Sequence, residues 1–196
     1  MKLYYSPGAC SLAADIVLHE MKTKAEFIKV DLRTKQTAAG EDFKAINPKG
    51  YVPTLVLDDG DILTENVALL QYLASLDTKL LPQSGREKWH AIEALAFVST
   101  EIHKSFKPLF TPGTDDATKA KTRTHIAQRL ELAAAMLGDR KFIVGNDFTV
   151  VDAYLFVMLM WSKKNEVTVP EKLRTYADEL GKRPSVREAL TLEGLA

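Results

Sequence analysis

The sequence predicts an α/β domain followed by an all-helical domain. Over residues 1–78, short apolar runs alternate with short helical patterns, in the order β-α-β and then β-β-α. Over residues 87–196 the apolar patterns are helical. Between them, "DTKLLPQSGRE" (Asp77–Glu87) carries Pro, Ser and Gly, and it sets a linker at residues 79–86.

Each element has its own signal. "KLYY" (Lys2–Tyr5) is rich in strand formers and stops at Pro7-Gly8. "SLAADIVLHEM" places Leu12, Ile16 and Leu18 or His19 at helical spacing. "AEFIKVDL" (Ala25–Leu32) alternates as a half-buried strand, and "RTKQTAAGED" reads as a polar loop. "TLVLDDGDILTE" sets two apolar runs around Asp59-Gly60, a hairpin signal, and "VALLQYLASL" follows as an amphipathic helix. In the second domain, Ile92, Leu95, Ser99, Ile102 and Phe106 predict one helix, ended by Pro108. Ile126, Leu130, Ala134 and Leu137 predict another, with Gly138 at its C-terminal cap. "FTVVDAYLF" reads as a helix start with Thr149 as N-cap, Asp152 as the capping-box carboxylate and Phe148 stapled onto Ala153. Loss of such a cap costs about 1 kcal/mol. The segment after it is apolar nearly all round, so it is expected at the centre of the second domain.

Bulk composition excludes several classes. With 26 basic and 26 acidic residues among 196, no net field draws a polyanion, which argues against nucleic-acid binding. The single cysteine forms no internal disulfide, and a reducing compartment fits. The most apolar stretch, Ala153–Trp161, is far shorter than the ~20 residues of a spanning helix. No targeting segment is recognisable, so a cytoplasmic location without membrane attachment is the expectation.

Three segments hold candidate chemistry. Cys10 lies between the first strand and the first helix, at a helix N-terminus. That position favours a thiolate, its own or a ligand's, and the small residues of "SPGA" permit close approach. A small buried hydrophobe is the plainer alternative. No C-x-x-C is present, so Cys10 runs no dithiol cycle of its own. Val52-Pro53 precedes a strand, where the proline removes a ladder donor and leaves neighbouring backbone groups open to a ligand or simply marks the strand start. Glu65-Asn66 stands at another helix start, where backbone N–H groups bind carboxylates and Glu65 suits an ammonium. Plain capping by Thr64 or Asn66 explains the same residues.

Taken together, these segments resemble glutathione transferases. "YYSPGACSLA", "NPKGYVPTLVLDDG", "TEIHKSFKPLF" and "FTVVDAYLF" are similar to the bacterial beta class, and the similarity covers essentially the whole chain. The resemblance implies a thioredoxin-like first domain, an all-α second domain, a homodimer, a cis Val52-Pro53 bond and a glutathione site without metal. It implies that Glu65 takes the γ-glutamyl ammonium and the helix N–H near Asn66 its carboxylate. Val52, ahead of Pro53, would pair with the cysteinyl amide as an added strand. Lys35 would meet the glycine carboxylate, and the ligand's sulfur would lie at Cys10. His103 would act on the sulfur or the acceptor. Glu101, with Lys104 three residues on, would reach the partner subunit's glutathione, or the two form a surface pair. Phe106, Phe110 and Trp161 would line an acceptor pocket, and His19, His90 and His125 read as surface residues.

Two positions depart from the family. Asn66 stands where Ser or Gly is common, and Ala96 where an Asn makes a bond across subunits. The expected activity is conjugation of glutathione to small apolar electrophiles, with thiol-disulfide exchange through Cys10. The alternatives are a glutathione-dependent reductive dehalogenase or thiol reductase with Cys10 as nucleophile, and a non-catalytic interaction module.

Overall fold

A computed structural model describes all residues, Met1–Ala196. The chain divides into two compact units, Met1–Asp77 with Lys182–Ala196, and Thr78–Gly181. The first begins with β1 (Lys2–Tyr5), α1 (Leu12–Glu20), β2 (Glu26–Asp31), β3 (Gln36–Thr37), α2 (Phe43–Ile46), β4 (Thr54–Val56), β5 (Ile62–Thr64) and α3 (Asn66–Leu76). The sheet order is β3-β2-β1-β4-β5. β1 and β2 are parallel, with Leu3 opposite Phe27, and the other neighbours are antiparallel. The hairpin expected at Asp59-Gly60 is β4–β5, with Leu55 opposite Leu63. The polar loop after β2 is not featureless. Gln36 and Thr37 pair with Asp31 and Val30, a strand too short to leave a periodic signal.

One face of this sheet buries Tyr4, Val30, Phe43 and Val52. On α1 the buried run is unbroken from Leu12 to Leu18, because α3 and α9 (Pro184–Leu192) both pack against it. That run includes the carboxylate of Asp15.

The second unit holds α4 (Gly85–Phe97), α5 (Lys107–Phe110), α6 (Asp116–Leu137), α7 (Val150–Lys164) and α8 (Glu171–Gly181). The helix expected through Phe106 is not uniform. After α4 comes a π-helical turn, Val98–His103, then a 3-10 turn, Lys104–Phe106. Pro108 does not end this run. It sits in the first turn of α5, where a missing N–H costs nothing. Gly138 caps α6 at φ +57°, as its position implied. The capping box at Thr149 and Asp152 is present, and α7 is buried along Val150–Leu159. Phe148 packs edge-on to Phe142, with ring centroids 6.2 Å apart.

The helical expectation for residues 87–196 needs one division. Lys182–Ala196 clusters with the first unit. Arg183 donates to both carboxylate oxygens of Glu20 at 2.7 and 2.6 Å, and Ser185 adds a hydroxyl. Val186 and Ala189 of α9 are fully buried. No helix is long and apolar enough to cross a membrane.

Candidate functional site

In the first unit, three segments far apart in sequence meet at Cys10. The turn after β1 is closed by Ala9 N–H to Ser6 C=O at 2.9 Å and Leu12 N–H to Ala9 C=O at 3.1 Å. Gly8 stands at φ +70°, a conformation that favours glycine. The Cys10 thiol points at the Val52 carbonyl, with Sγ 3.4 Å from the oxygen. Val52-Pro53 is cis. Asn66 Nδ2 donates to the Cys10 carbonyl at 2.9 Å, so the start of α3 is tied to the cysteine turn.

The ionisation expected of Cys10 is corrected here. Burial pushes its thiol up to about 12. The N–H groups of Cys10 and Ser11 pull the other way, while the carboxylates of Glu65 and Glu193 add to the rise. A helix N-terminus contributes about 0.3–1 kcal/mol. Desolvation of a buried group reaches about 3–5 pKa units, so burial wins. At neutral pH Cys10 is a thiol and an S–H donor.

Glu65 sits at φ +69°, just ahead of α3, with no side-chain cap. Its Oε1 accepts from Lys49 Nζ at 2.7 Å and from the Tyr51 hydroxyl at 2.9 Å. The carboxylate thus already holds an ammonium. Neither Thr64 nor Asn66 caps the helix. Asn66 is its first residue, buried, and its Oδ1 has no hydrogen-bond partner. Lys35 donates to the Gly50 carbonyl at 2.7 Å. The stem of Lys44 also crosses Gly50, 3.5 Å from where a Cβ would stand. Sequence does not single out Lys44, Lys49 and Tyr51, although Lys49 and Tyr51 lie within "NPKGY" and Lys44 just before it.

The second unit gathers the remaining candidates. Trp161 meets His103, Phe106 and Phe110 edge-on at 5.0, 5.4 and 4.9 Å between ring centroids. Phe106 is fully buried and Phe110 is exposed. His103 Nδ1 lies 2.5 Å from the Tyr154 hydroxyl, a partner that sequence did not suggest. Burial, then the charge of Lys104, lowers its pKa to about 4. His103 is therefore a neutral imidazole near pH 7, able to exchange hydrogen bonds but not to supply a standing charge. Glu101 does not pair with Lys104. It faces Arg129 Nη1 at 3.6 Å. His90 and His125 are at the surface. His19 is not. Only 23% of its side chain is exposed, between Asp15 and Glu188.

Comparison with known proteins places the chain in a family. Residues 8–76 match the glutathione S-transferase N-terminal domain, and residues 97–180 match its C-terminal domain. The chain is 42% identical to glutathione S-transferase GstA of Escherichia coli O157:H7, with both chains covered in full. A sphingomonad glutathione S-transferase solved with glutathione is similar at TM-score 0.93 and 42% identity, again over both whole chains. A bacterial beta-class enzyme from Sphingomonas chungbukensis is similar at TM-score 0.93 and 41% identity over the same span. The chain belongs to the glutathione S-transferase family, among its bacterial beta-class members.

Proposed function

We propose that this protein conjugates glutathione to small apolar electrophiles, with the tripeptide's sulfur resting beside Cys10. The observation that carries the reading is the meeting of Cys10, Val52 and Asn66 next to a Glu65 carboxylate already engaged with an ammonium. Glutathione presents an ammonium for Glu65 and a carboxylate for the N-terminus of α3. Its cysteinyl amide suits the Val52 backbone ahead of Pro53, and its glycine carboxylate suits Lys35, with Lys44 beside it.

The high pKa of Cys10 assigns it a role. A protonated thiol donates to the incoming sulfur and stabilises that sulfur's anionic form. The Cys10 and Ser11 N–H groups, which already lower the pKa of a sulfur here, act in the same sense. The glutathione thiolate then attacks an electrophilic carbon. A carbon–sulfur bond forms, the leaving group departs with its electron pair, and the thiol proton passes to solvent. Phe110 and Trp161, backed by the fully buried Phe106, would offer an acceptor an apolar face, and neutral His103 a hydrogen bond. Exchange is the slower activity. It needs the Cys10 thiolate, which burial disfavours.

The chain acts as a homodimer in this reading. Glu101 would leave Arg129 to reach the partner subunit's glutathione, beside Lys104. Glutathione is a co-substrate, and no metal enters the chemistry.

Glu65→Gln tests the ammonium assignment. A charged hydrogen bond is worth about 1.5–3 kcal/mol, so calorimetry is expected to show glutathione affinity at least ~10-fold weaker. Unchanged affinity with intact folding would remove Glu65 from the site.

A further inference from the structure

Behind the cysteine turn lies a pair of carboxyl groups that the conjugation chemistry does not use. Asp15 is fully buried in the middle of α1, and Glu193, at the C-terminal cap of α9, is 5% exposed. Glu193 Oε2 accepts the Gly8 N–H at 2.7 Å, two residues before Cys10. Glu193 Oε1 and both oxygens of Asp15 are buried without a hydrogen bond, although His19 Nε2 stands 3.2 Å from Asp15 Oδ1. Neither group is matched by a lysine or arginine. Arg183 is committed to Glu20. Two anions packed against each other in a dry interior are strongly disfavoured, whereas one proton between them makes a short O–H···O bond.

We propose that Asp15 and Glu193 share one proton and form a clasp that positions the Gly8–Cys10 turn. The proton belongs on Asp15. Glu193 already accepts an N–H at one oxygen, as an ionised carboxylate does, and its other oxygen takes the Asp15 O–H. The chain so formed runs from Asp15 through Glu193 to the Gly8 N–H. When base in solution removes the proton, two buried charges face each other. Asp15 is fixed in a buried helix. Glu193, at a helix end, is the group able to withdraw, and it releases Gly8 as it goes.

The surroundings fit. His19 Nε2 stands 3.2 Å from Asp15 Oδ1, and its Nδ1 stands 3.3 Å from Glu188 of the same α9. Its ring stacks on Phe27. Burial, then the charges of Glu193 and Asp15, raises the pKa of Tyr5 on β1. Cys10 feels Glu193 in the same sense. Burial first, then the neighbouring Glu193 charge, raises Asp15 to about 8, and burial raises Glu193 to about 7. The pair titrates as a unit. The folded pair binds its protons more tightly than an open chain does, so the single shared proton belongs to the interval between the two steps, and the clasp opens as that last proton leaves, by pH 9.

Both residues are positioning residues, and the experiment does not depend on glutathione. Hydrogen exchange of the Gly8 amide in the full chain is followed from pH 6.5 to 9. The wild type is expected to lose protection at least ~10-fold beyond the intrinsic base-catalysed rise, the scale of one charged hydrogen bond. Asp15→Asn keeps a permanent donor to Glu193, so the extra loss should vanish and Gly8 should stay protected at pH 9. A wild-type profile that follows the intrinsic rise overturns the proposal, as does an Asp15→Asn profile identical to wild type. Carboxyl carbon resonances of the wild type give a check that needs no variant. One protonated side-chain carboxyl at Asp15 or Glu193 at pH 7.5, lost by pH 9, supports the clasp. Two ionised carboxylates at pH 7.5 overturn it.

Discussion

Cys10→Ala is expected to abolish thiol-disulfide exchange with glutathione disulfide while conjugation falls only ~10-fold. Exchange requires a sulfur on the protein, and Cys10 is the only cysteine. Its removal should therefore cut that activity to the uncatalysed background. Conjugation needs only a donor to the bound sulfur. The loss of one hydrogen bond to an anion costs about 1.5 kcal/mol, which corresponds to about tenfold. The backbone N–H groups of Cys10 and Ser11 remain in the variant. The pH dependence separates the two activities as well. Exchange by the wild type should rise with pH without levelling off below pH 10, because the thiolate population keeps growing toward a pKa near 12. Equal losses of both activities in a folded variant would make Cys10 the nucleophile for both, and the reductase reading would replace the conjugating one.

Asp152→Ala is expected to destabilise the protein by at least ~3 kcal/mol in urea unfolding, since each orphaned buried polar group costs about 1–3 kcal/mol. Asp152 is fully buried at the start of α7. It accepts Thr149 N–H at 2.8 Å and Thr149 O–H at 2.7 Å. It also accepts Ile143 N–H at 2.9 Å and Tyr176 O–H at 2.6 Å. Burial raises its pKa, and these donors oppose the rise. The substitution strands two backbone N–H groups and two hydroxyls in the core of the second unit. A loss below ~1 kcal/mol, the cost of an ordinary cap, would mean that Asp152 does no more than begin the helix.

That contrast shows what sequence conveys. Thr149 and Asp152 are three residues apart, and the capping box is a local rule, so the motif was legible. The bonds to Ile143 and Tyr176 join segments that no local pattern connects. The same holds for Glu193, which meets Asp15 only after α9 packs on α1. β3 spans two residues and leaves no period. Pro108 reads as a stop, yet the run has already left α-helical geometry, and proline is welcome in a first turn. At the site, the residue types in "SPGAC", "NPKGYVP" and "TEN" pointed to three segments that meet at Cys10, and resemblance supplied the purpose proposed for them. The ionisation of Cys10 and His103 was not legible. Position in sequence tells of a helix end, whereas pKa is governed here by burial, a property of the packed chain.

The account rests on glutathione's sulfur lying against Cys10. Mass spectrometry after incubation with glutathione disulfide measures this directly. One glutathionyl group per chain is expected, mapped to the peptide bearing Cys10, formed faster at higher pH and suppressed by saturating S-methylglutathione. An absent adduct at pH 9, or one that forms at the same rate with S-methylglutathione or in Glu65→Gln, would contradict it.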